Sequence, residues 1–186
     1  MNNSLTHAVS LMDKNLKHVL ELGVFKGGTI RQLRKLLPEE FEIFGFDSFE
    51  GIAEPWIDKY GKQVKPKGAM SAKNKIPEVS GVKLYKGWFS DTLPQYIESG
   101  QPIGLLHVDC DLYSSTIESL RLLNHLIVPN TVIVFDEWVY NHDSAYDDHE
   151  QKAFFEWTEE FDRSCRLVDF NDTSESGEER KIVVVE

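Results

Sequence analysis

A chain of 186 residues has the length of one α/β domain with a full core and leaves little room for a second folded unit. With 41% hydrophobic and 27% charged residues, 12 glycines and 7 prolines, its composition excludes disordered and collagenous classes. A formal net charge of −11 repels phosphate-rich polymers, so nucleic acid is not an expected partner.

In chain order, Leu5, Val9, Met12 and Leu16 read as a helix against the edge of a sheet, followed by a strand, HVLEL, over His18 to Leu22. Ile30, Leu33, Leu36 and Leu37 form the apolar stripe of a helix that Pro38 closes, and EIFGF, Glu42 to Phe46, is the next strand. Asp47 to Gly81 is a far longer connection than one helix needs, and residues 50–80 read as a lid or substrate loop with a helix. Its lysines, Lys59, Lys62, Lys65, Lys67, Lys73 and Lys75, suit either a lid that attracts an anionic acceptor or a solvated loop. VKLYK, Val82 to Lys86, is a third strand, and Asp91 and Thr92 read as a helix start ahead of Pro94. IGLLHV, Ile103 to Val108, is the fourth; Ser115 and Glu118 then have capping-box spacing before Ile117, Leu120 and Leu123. TVIVF, Thr131 to Phe135, is the fifth, followed by a helix through Ala153, Phe154, Trp157 and Phe161 with Asp147 and Glu150 at capping spacing. Between CRLVDF, Cys165 to Phe170, and KIVVV, Lys181 to Val185, the polar stretch is too short for a crossover helix, so these two strands form an antiparallel hairpin.

Short apolar strands alternating with helices predict one α/β domain over residues 1–186, a doubly wound Rossmann-like sheet of seven strands: five parallel β/α units and a C-terminal antiparallel hairpin. No apolar run approaches the ~18 residues of a membrane span and no secretory signal opens the chain, so no membrane partner and a cytoplasmic location are expected. Cys110 and Cys165 are too few for a disulfide scaffold and read as packing residues.

Ligands of open α/β sheets bind beyond the carboxyl ends of the strands. The first end, ELGVFKGGT, holds Glu21, Gly23 and Gly27; the glycines allow a sharp turn and close backbone approach to a ligand. At the second, FDSFEG, Asp47 stands where a carboxylate accepts hydrogen bonds from both hydroxyls of a ribose. A dinucleotide and S-adenosylmethionine both suit this pair. Glu21 favours the second, because a carboxylate repels a pyrophosphate yet complements an ammonium and a sulfonium, and Phe25 occupies the place of the middle glycine of a dinucleotide loop. The third end, KGWFSDTLP, offers Gly87, Trp88 and Phe89 to an adenine or to the core. The fourth and fifth, HVDCDLYSST and VFDEW, bring Asp109, Asp111, Asp136 and Glu137 to one edge, where like charges call for a cation; all-oxygen ligands suit Mg²⁺ or Ca²⁺ better than zinc. Asp111 alternatively caps the helix that follows.

Together these five motifs, from about Leu20 to Trp138, resemble a class I S-adenosylmethionine-dependent methyltransferase, and within that class the macrocin and mycinamicin sugar O-methyltransferase family. The resemblance implies that Glu21, Gly23 and Gly27, with Phe25, Lys26 and Thr29 beside them, hold the methionine part of the cofactor. Asp47 would hold the ribose, Ser48 and Phe49 would lie beside the adenosine, and Gly87, Trp88 and Phe89 would border the adenine. It further implies Mg²⁺ on Asp109, Asp136 and Glu137, the last one methylene longer than the usual Asp or Asn, with Asp109 reaching both cofactor and acceptor. The expected reaction is Mg-assisted O-methylation of a small-molecule hydroxyl of sugar or natural-product type, by a chain acting alone or as a homo-oligomer. Asp109 is the first candidate for the base, and His142 and His149 follow the fifth strand towards the same mouth. The alternatives are a nicotinamide-dependent oxidoreductase, which the missing GxGxxG string disfavours, and a catalytically silent S-adenosylmethionine-binding module.

Overall fold

The computed structural model describes residues 3–58, 60–140, 149–170, 172 and 178–186. The N-terminal helix α1 spans Asn3–Leu11. Two β/α segments follow with a strand between them: β1 (His18–Leu22) with α2 (Gly28–Leu36), β2 (Glu42–Asp47), then a small hairpin of β3 (Trp56–Ile57) and β4 (Gln63–Lys65), and β5 (Val82–Lys86) with α3 (Phe89–Ile97). The second half comprises β6 (Ile103–Val108), α4 (Tyr113–Leu123), β7 (Ile127–Tyr140), α5 (His149–Glu160), β8 (Cys165–Leu167) and β9 (Glu178–Val185).

The sheet runs β5-β2-β1-β6-β7-β9-β8, with β5 to β7 parallel and β9 antiparallel to both β7 and β8. Every residue of the central strands β1 and β6 is buried, which is why both read as apolar runs, broken by His18 and Glu21 in β1 and by His107 in β6. One core layer sets Leu20, Phe46, Leu106 and Phe135 against α3, α4 and α5; the other sets Val19, Ile43, Leu105 and Val134 against α1 and α2. Helices on both faces leave the carboxyl ends of the strands as the open edge.

Local differences from the sequence reading have physical causes. Among the described residues, 50–80 contain the β3–β4 hairpin and no helix. Helix α4 begins at Tyr113, two residues before the expected capping box, and no side chain of its own caps it; the Tyr113 amide donates instead to Nδ1 of His149, 3.0 Å away at the head of α5. Helix α3 begins at Phe89 and carries Pro94 inside it. Strand β7 outruns the expected Thr131 to Phe135 because β9 pairs along it past a bulge: Phe135 faces Lys181 and Val139 faces Glu179, so Asp136, Glu137 and Trp138 stand opposite Arg180 alone. Asp136 and Glu137, adjacent in the strand, point to different sides of the sheet.

Candidate active site

A cavity of about 580 Å³ lies at the carboxyl ends of β1, β2, β5 and β6. Backbone hydrogen bonds fix its floor: the Gly23 amide donates to Phe46 O, the Asp109 amide to Leu22 O and the Gly87 amide to Asp47 O, each at 2.9 to 3.0 Å. The loops thus prolong the ladder of the sheet. At Gly23, φ is +88° and a Cβ would stand 1.7 Å from the carbonyl oxygen of Asp109, so the crossing of the two loops requires glycine.

Of the residues expected to hold a cofactor, Gly23, Phe25, Thr29, Asp47, Ser48, Gly87, Trp88, Phe89 and Asp109 line this cavity. The Asp47 carboxylate ties its two loops together, accepting the amides of Val24 (2.8 Å) and Phe25 (2.6 Å) on Oδ2 and that of Phe49 (2.6 Å) on Oδ1. About four acceptor positions exist on a carboxylate, so one remains. The lining does not include Glu21, Lys26, Gly27 or Phe49. Lys26 lies over the Phe25 ring, Gly27 is the N-cap of α2, and the Phe49 ring is buried in the core layer of α1 and α2.

Glu21 lies fully buried beneath the loop, where its Oε1 accepts the Thr29 hydroxyl at 2.9 Å and its Oε2 lies 3.2 Å from Nδ1 of His107. Nε2 of His107 in turn lies 3.4 Å from Oδ1 of Asp136, and Arg180 donates to both Asp136 oxygens at 2.7 and 3.3 Å. Burial alone disfavours a charged imidazole, but acceptors on both ring nitrogens hold His107 protonated, its pKa well above the ordinary value. Burial likewise opposes ionisation of Asp136, yet the bonds from His107 and Arg180 keep its pKa down at about 2. Burial raises the Glu21 pKa against the pull of His107 and Thr29, and a buried line of polar contacts runs from the glycine loop through His107 and Asp136 to Arg180 on β9.

The carboxylates of the fourth and fifth strand ends divide into two groups. His107, Asp109 and Asp136 offer ligand atoms within 4.8 Å of one another, the one such set among the described residues. Burial, and after it the charge of Asp136, raises the Asp109 pKa well above the usual carboxylate range. Glu137 turns to the α5 side, where its amide donates to Oε2 of Glu150 at 3.0 Å. Burial and then the charges of Glu150 and Asp111 push Glu137 well up; burial, with Asp136 and Asp111, takes Glu150 to about 8 against the pull of that amide. Oε2 of Glu137 and Oε1 of Glu150 are buried and accept no hydrogen bond.

His149 does not line the cavity; its Nδ1 receives the α4 amide and its ring is tilted against Trp56 at 5.9 Å. His142 lies outside the described residues. Reading the sequence passed over His107, Arg180 and Glu150, and over a wall of the cavity formed by Ile52, Met70, Ser114, Ser115 and Glu118. The signal for His107 was present: it is the one titratable residue within an otherwise apolar strand, two positions before Asp109 and so on the same face.

The model of a family described as a methyltransferase domain matches residues 20–138, from the third residue of β1 to the bulge of β7. The chain belongs to that methyltransferase family. It is 27% identical over 149 residues to the 8-demethyl-8-(2,3-dimethoxy-α-L-rhamnosyl)-tetracenomycin-C 4′-O-methyltransferase of Streptomyces olivaceus, a match covering 64% of this chain and 52% of that protein. It is also 26% identical over 141 residues to the demethyldecarbamoylnovobiocin O-methyltransferase of Streptomyces niveus, covering 65% of this chain and 52% of the relative. This methyltransferase chain thus spans about half the length of the curated relatives it matches. The crystal structure of a calicheamicin methyltransferase superposes with a TM-score of 0.68 at 19% identity, over 98% of this chain and 76% of that one, a likeness of fold.

Proposed function

We propose that this methyltransferase domain transfers a methyl group from S-adenosylmethionine to a hydroxyl of a small molecule of sugar or natural-product type. The observation that carries the reading is a single cavity whose wall joins the glycine loop and Asp47 to Asp109 and Asp111. Two curated relatives named as O-methyltransferases, one acting on a rhamnosyl-bearing compound, support the acceptor class.

The residues present fit the cofactor. Gly23 brings bare backbone to the cavity, Asp47 keeps an acceptor position for a ribose hydroxyl, and the exposed ring of Trp88 gives an adenine a flat apolar face. S-Adenosylmethionine bound there supplies an electrophilic methyl group on a positively charged sulfur. The chain contributes alignment, by holding the acceptor hydroxyl against the Asp109 side of the cavity. Asp109, drawn out of water beside other acids, has a raised proton affinity and takes the hydroxyl proton as the new bond forms.

The acid cluster also fits a hard divalent cation, because Asp109 and Asp136 bring ligand atoms within 4.8 Å of each other and Glu137 keeps one buried carboxylate oxygen that accepts no hydrogen bond. Asp109, Asp136 and Glu137 are the residues that would hold it, and bound Mg²⁺ would lower the pKa of an acceptor hydroxyl. Of the three, Asp136 is already neutralised by Arg180.

The test is calorimetric titration with S-adenosylhomocysteine and with NAD, followed by incubation with labelled S-adenosylmethionine and a panel of 6-deoxysugar glycosides and catechols. The reading expects heat from the first nucleoside alone and label in a glycoside. Heat from NAD alone, or from neither, overturns it.

A further inference from the structure

We propose that Arg180, on β9, is a positioning residue for the cofactor end of the cavity: through Asp136, His107 and Glu21 it sets the place of Thr29 beside the glycine loop. The role rests on the methyl-transfer reading, since Thr29 belongs to the lining assigned there to S-adenosylmethionine.

Strand register puts Arg180 where it can act. It is the one β9 residue between Glu179, which faces Val139, and Lys181, which faces Phe135, so it stands across from Asp136. Its guanidinium meets that carboxylate as a fork, with Nε donating to Oδ1 at 2.7 Å and Nη2 to Oδ2 at 3.3 Å. A fork fixes the plane of a carboxylate as well as its place, which a single donor does not. Oδ1, so held, lies 3.4 Å from Nε2 of His107, whose Nδ1 lies 3.2 Å from Oε2 of Glu21. The other Glu21 oxygen accepts the hydroxyl of Thr29 at 2.9 Å. Thr29 is the second residue of α2 and lines the cavity.

The links between the ends of this path are buried: Glu21 and His107 are closed to solvent and Asp136 is 7% exposed. Water cannot take over a lost contact there, so an Asp136 free to turn leaves the His107 ring unfixed at one nitrogen and Glu21 without a fixed partner. Arg180 is itself anchored from behind. Its Nη1 lies 3.5 Å from Oδ2 of Asp172, and that oxygen accepts both the amide (3.0 Å) and the hydroxyl (2.8 Å) of Ser4, in the first turn of α1. The Arg180 amide donates to the Asp172 carbonyl at 3.0 Å, so backbone and side chain together aim the guanidinium. Ser4, Asp172 and Arg180 all stand outside the residues 20–138 that match the family model, so this chain's terminal segments supply the positioning device. The competing arrangement is a brace for the fold alone, whose loss lowers the amount of folded protein and not the affinity of what remains.

Calorimetric titration of the full chain with S-adenosylhomocysteine separates the two, because the stoichiometry counts the folded fraction while Kd reports the geometry of the site. Wild type is expected to bind one nucleoside per chain. Arg180→Gln, which removes the fork and its charge, is expected to raise Kd by about tenfold or more in the protein that remains folded. Arg180→Lys, which keeps the charge and loses the fork, should recover most of that loss and stay about threefold weaker than wild type. It serves alone if the Gln variant does not fold. A wild-type Kd in Arg180→Gln, or in Arg180→Lys where the Gln variant does not fold, overturns the positioning role whatever the stoichiometry and leaves the structural brace. Wild-type protein that takes up no S-adenosylhomocysteine overturns the methyl-transfer reading and this role with it.

Discussion

Oε2 of Glu21 lies 3.2 Å from Nδ1 of His107, and neither side chain reaches solvent. The imidazolium is the sole cation that touches this carboxylate among the described residues, and it also meets Asp136 through Nε2. Replacing it with a neutral side chain leaves Glu21 buried beside no positive charge. His107→Gln is therefore expected to cost about 3 to 5 kcal/mol in denaturant unfolding at pH 7. The folded pKa of His107 is raised, so its contribution is complete below the unfolded value near 6.5 and is lost as pH climbs through the folded value. Wild type should lose stability along that alkaline window, and the Gln variant should lack this part of the slope. Equal stability of the two proteins at pH 7 contradicts a charged ring.

Asp47 should prove to be both a binding residue and a brace. It accepts three loop amides, and removing the carboxylate leaves the Val24, Phe25 and Phe49 N–H groups to find water. Hydrogen bonds to a charged group are worth about 1.5 to 3 kcal/mol each when well shielded, less in this partly exposed position. Asp47→Ala is expected to weaken S-adenosylhomocysteine binding at least tenfold by calorimetry, with Asp47→Asn intermediate because its amide keeps one acceptor oxygen. Unchanged affinity in both variants would remove Asp47 from the cofactor site.

The parts of the fold legible in the sequence were those whose cause is local. Strands β5 and β6 fall on the expected residues because a strand buried between helix layers is an apolar run bounded by turn formers, and β9 falls between β7 and β8 as a hairpin joined by a short polar link. The glycine crossing at Gly23 and the carboxylate at Asp47 were legible for the same reason. What escaped notice depends on distant partners. The start of α4 is decided by a His149 nitrogen 36 positions away, so local capping chemistry pointed two residues too late. Glu150 has the spacing of a helix cap and instead reaches across to the Glu137 amide. The bulge over Asp136, Glu137 and Trp138 exists only in the register between β7 and β9, which no periodicity in β7 alone records.

Cys165 should react slowly. Burial raises its thiol pKa to about 11, despite Arg163 nearby. The thiolate is the nucleophile, so the fraction reactive at pH 8 is about a thousandth. Alkylation by iodoacetamide, followed by mass spectrometry of the Cys165 peptide, should rise about tenfold per pH unit from 7 to 10. A rate that levels off near pH 8.5, as for an unperturbed thiol, contradicts the burial seen here.

Gly23 and Gly28 make a matched pair five residues apart in one loop and helix start, and they should answer alanine in opposite ways. At Gly28 a Cβ meets nothing within 4 Å, and the residue begins α2 with ordinary backbone angles. Gly28→Ala should therefore leave stability unchanged or raise it by up to about 1 kcal/mol through helix propensity. At Gly23 the same methyl group would overlap the Asp109 carbonyl, 1.7 Å from its oxygen and 2.7 Å from its carbon, at a φ of +88° that an alanine adopts only with strain. Relief requires the two loops to part, which breaks the Asp109 amide's bond to Leu22 O and shifts Asp109 away from the cavity wall. Gly23→Ala is expected to lose about 3 kcal/mol or more, a fall of roughly 6 to 12 °C in the thermal midpoint. Its remaining folded fraction should bind S-adenosylhomocysteine more weakly than Gly28→Ala does, and a Gly23→Ala protein as stable and as tight-binding as wild type would show that the loops after β1 and β6 do not cross at the spacing described.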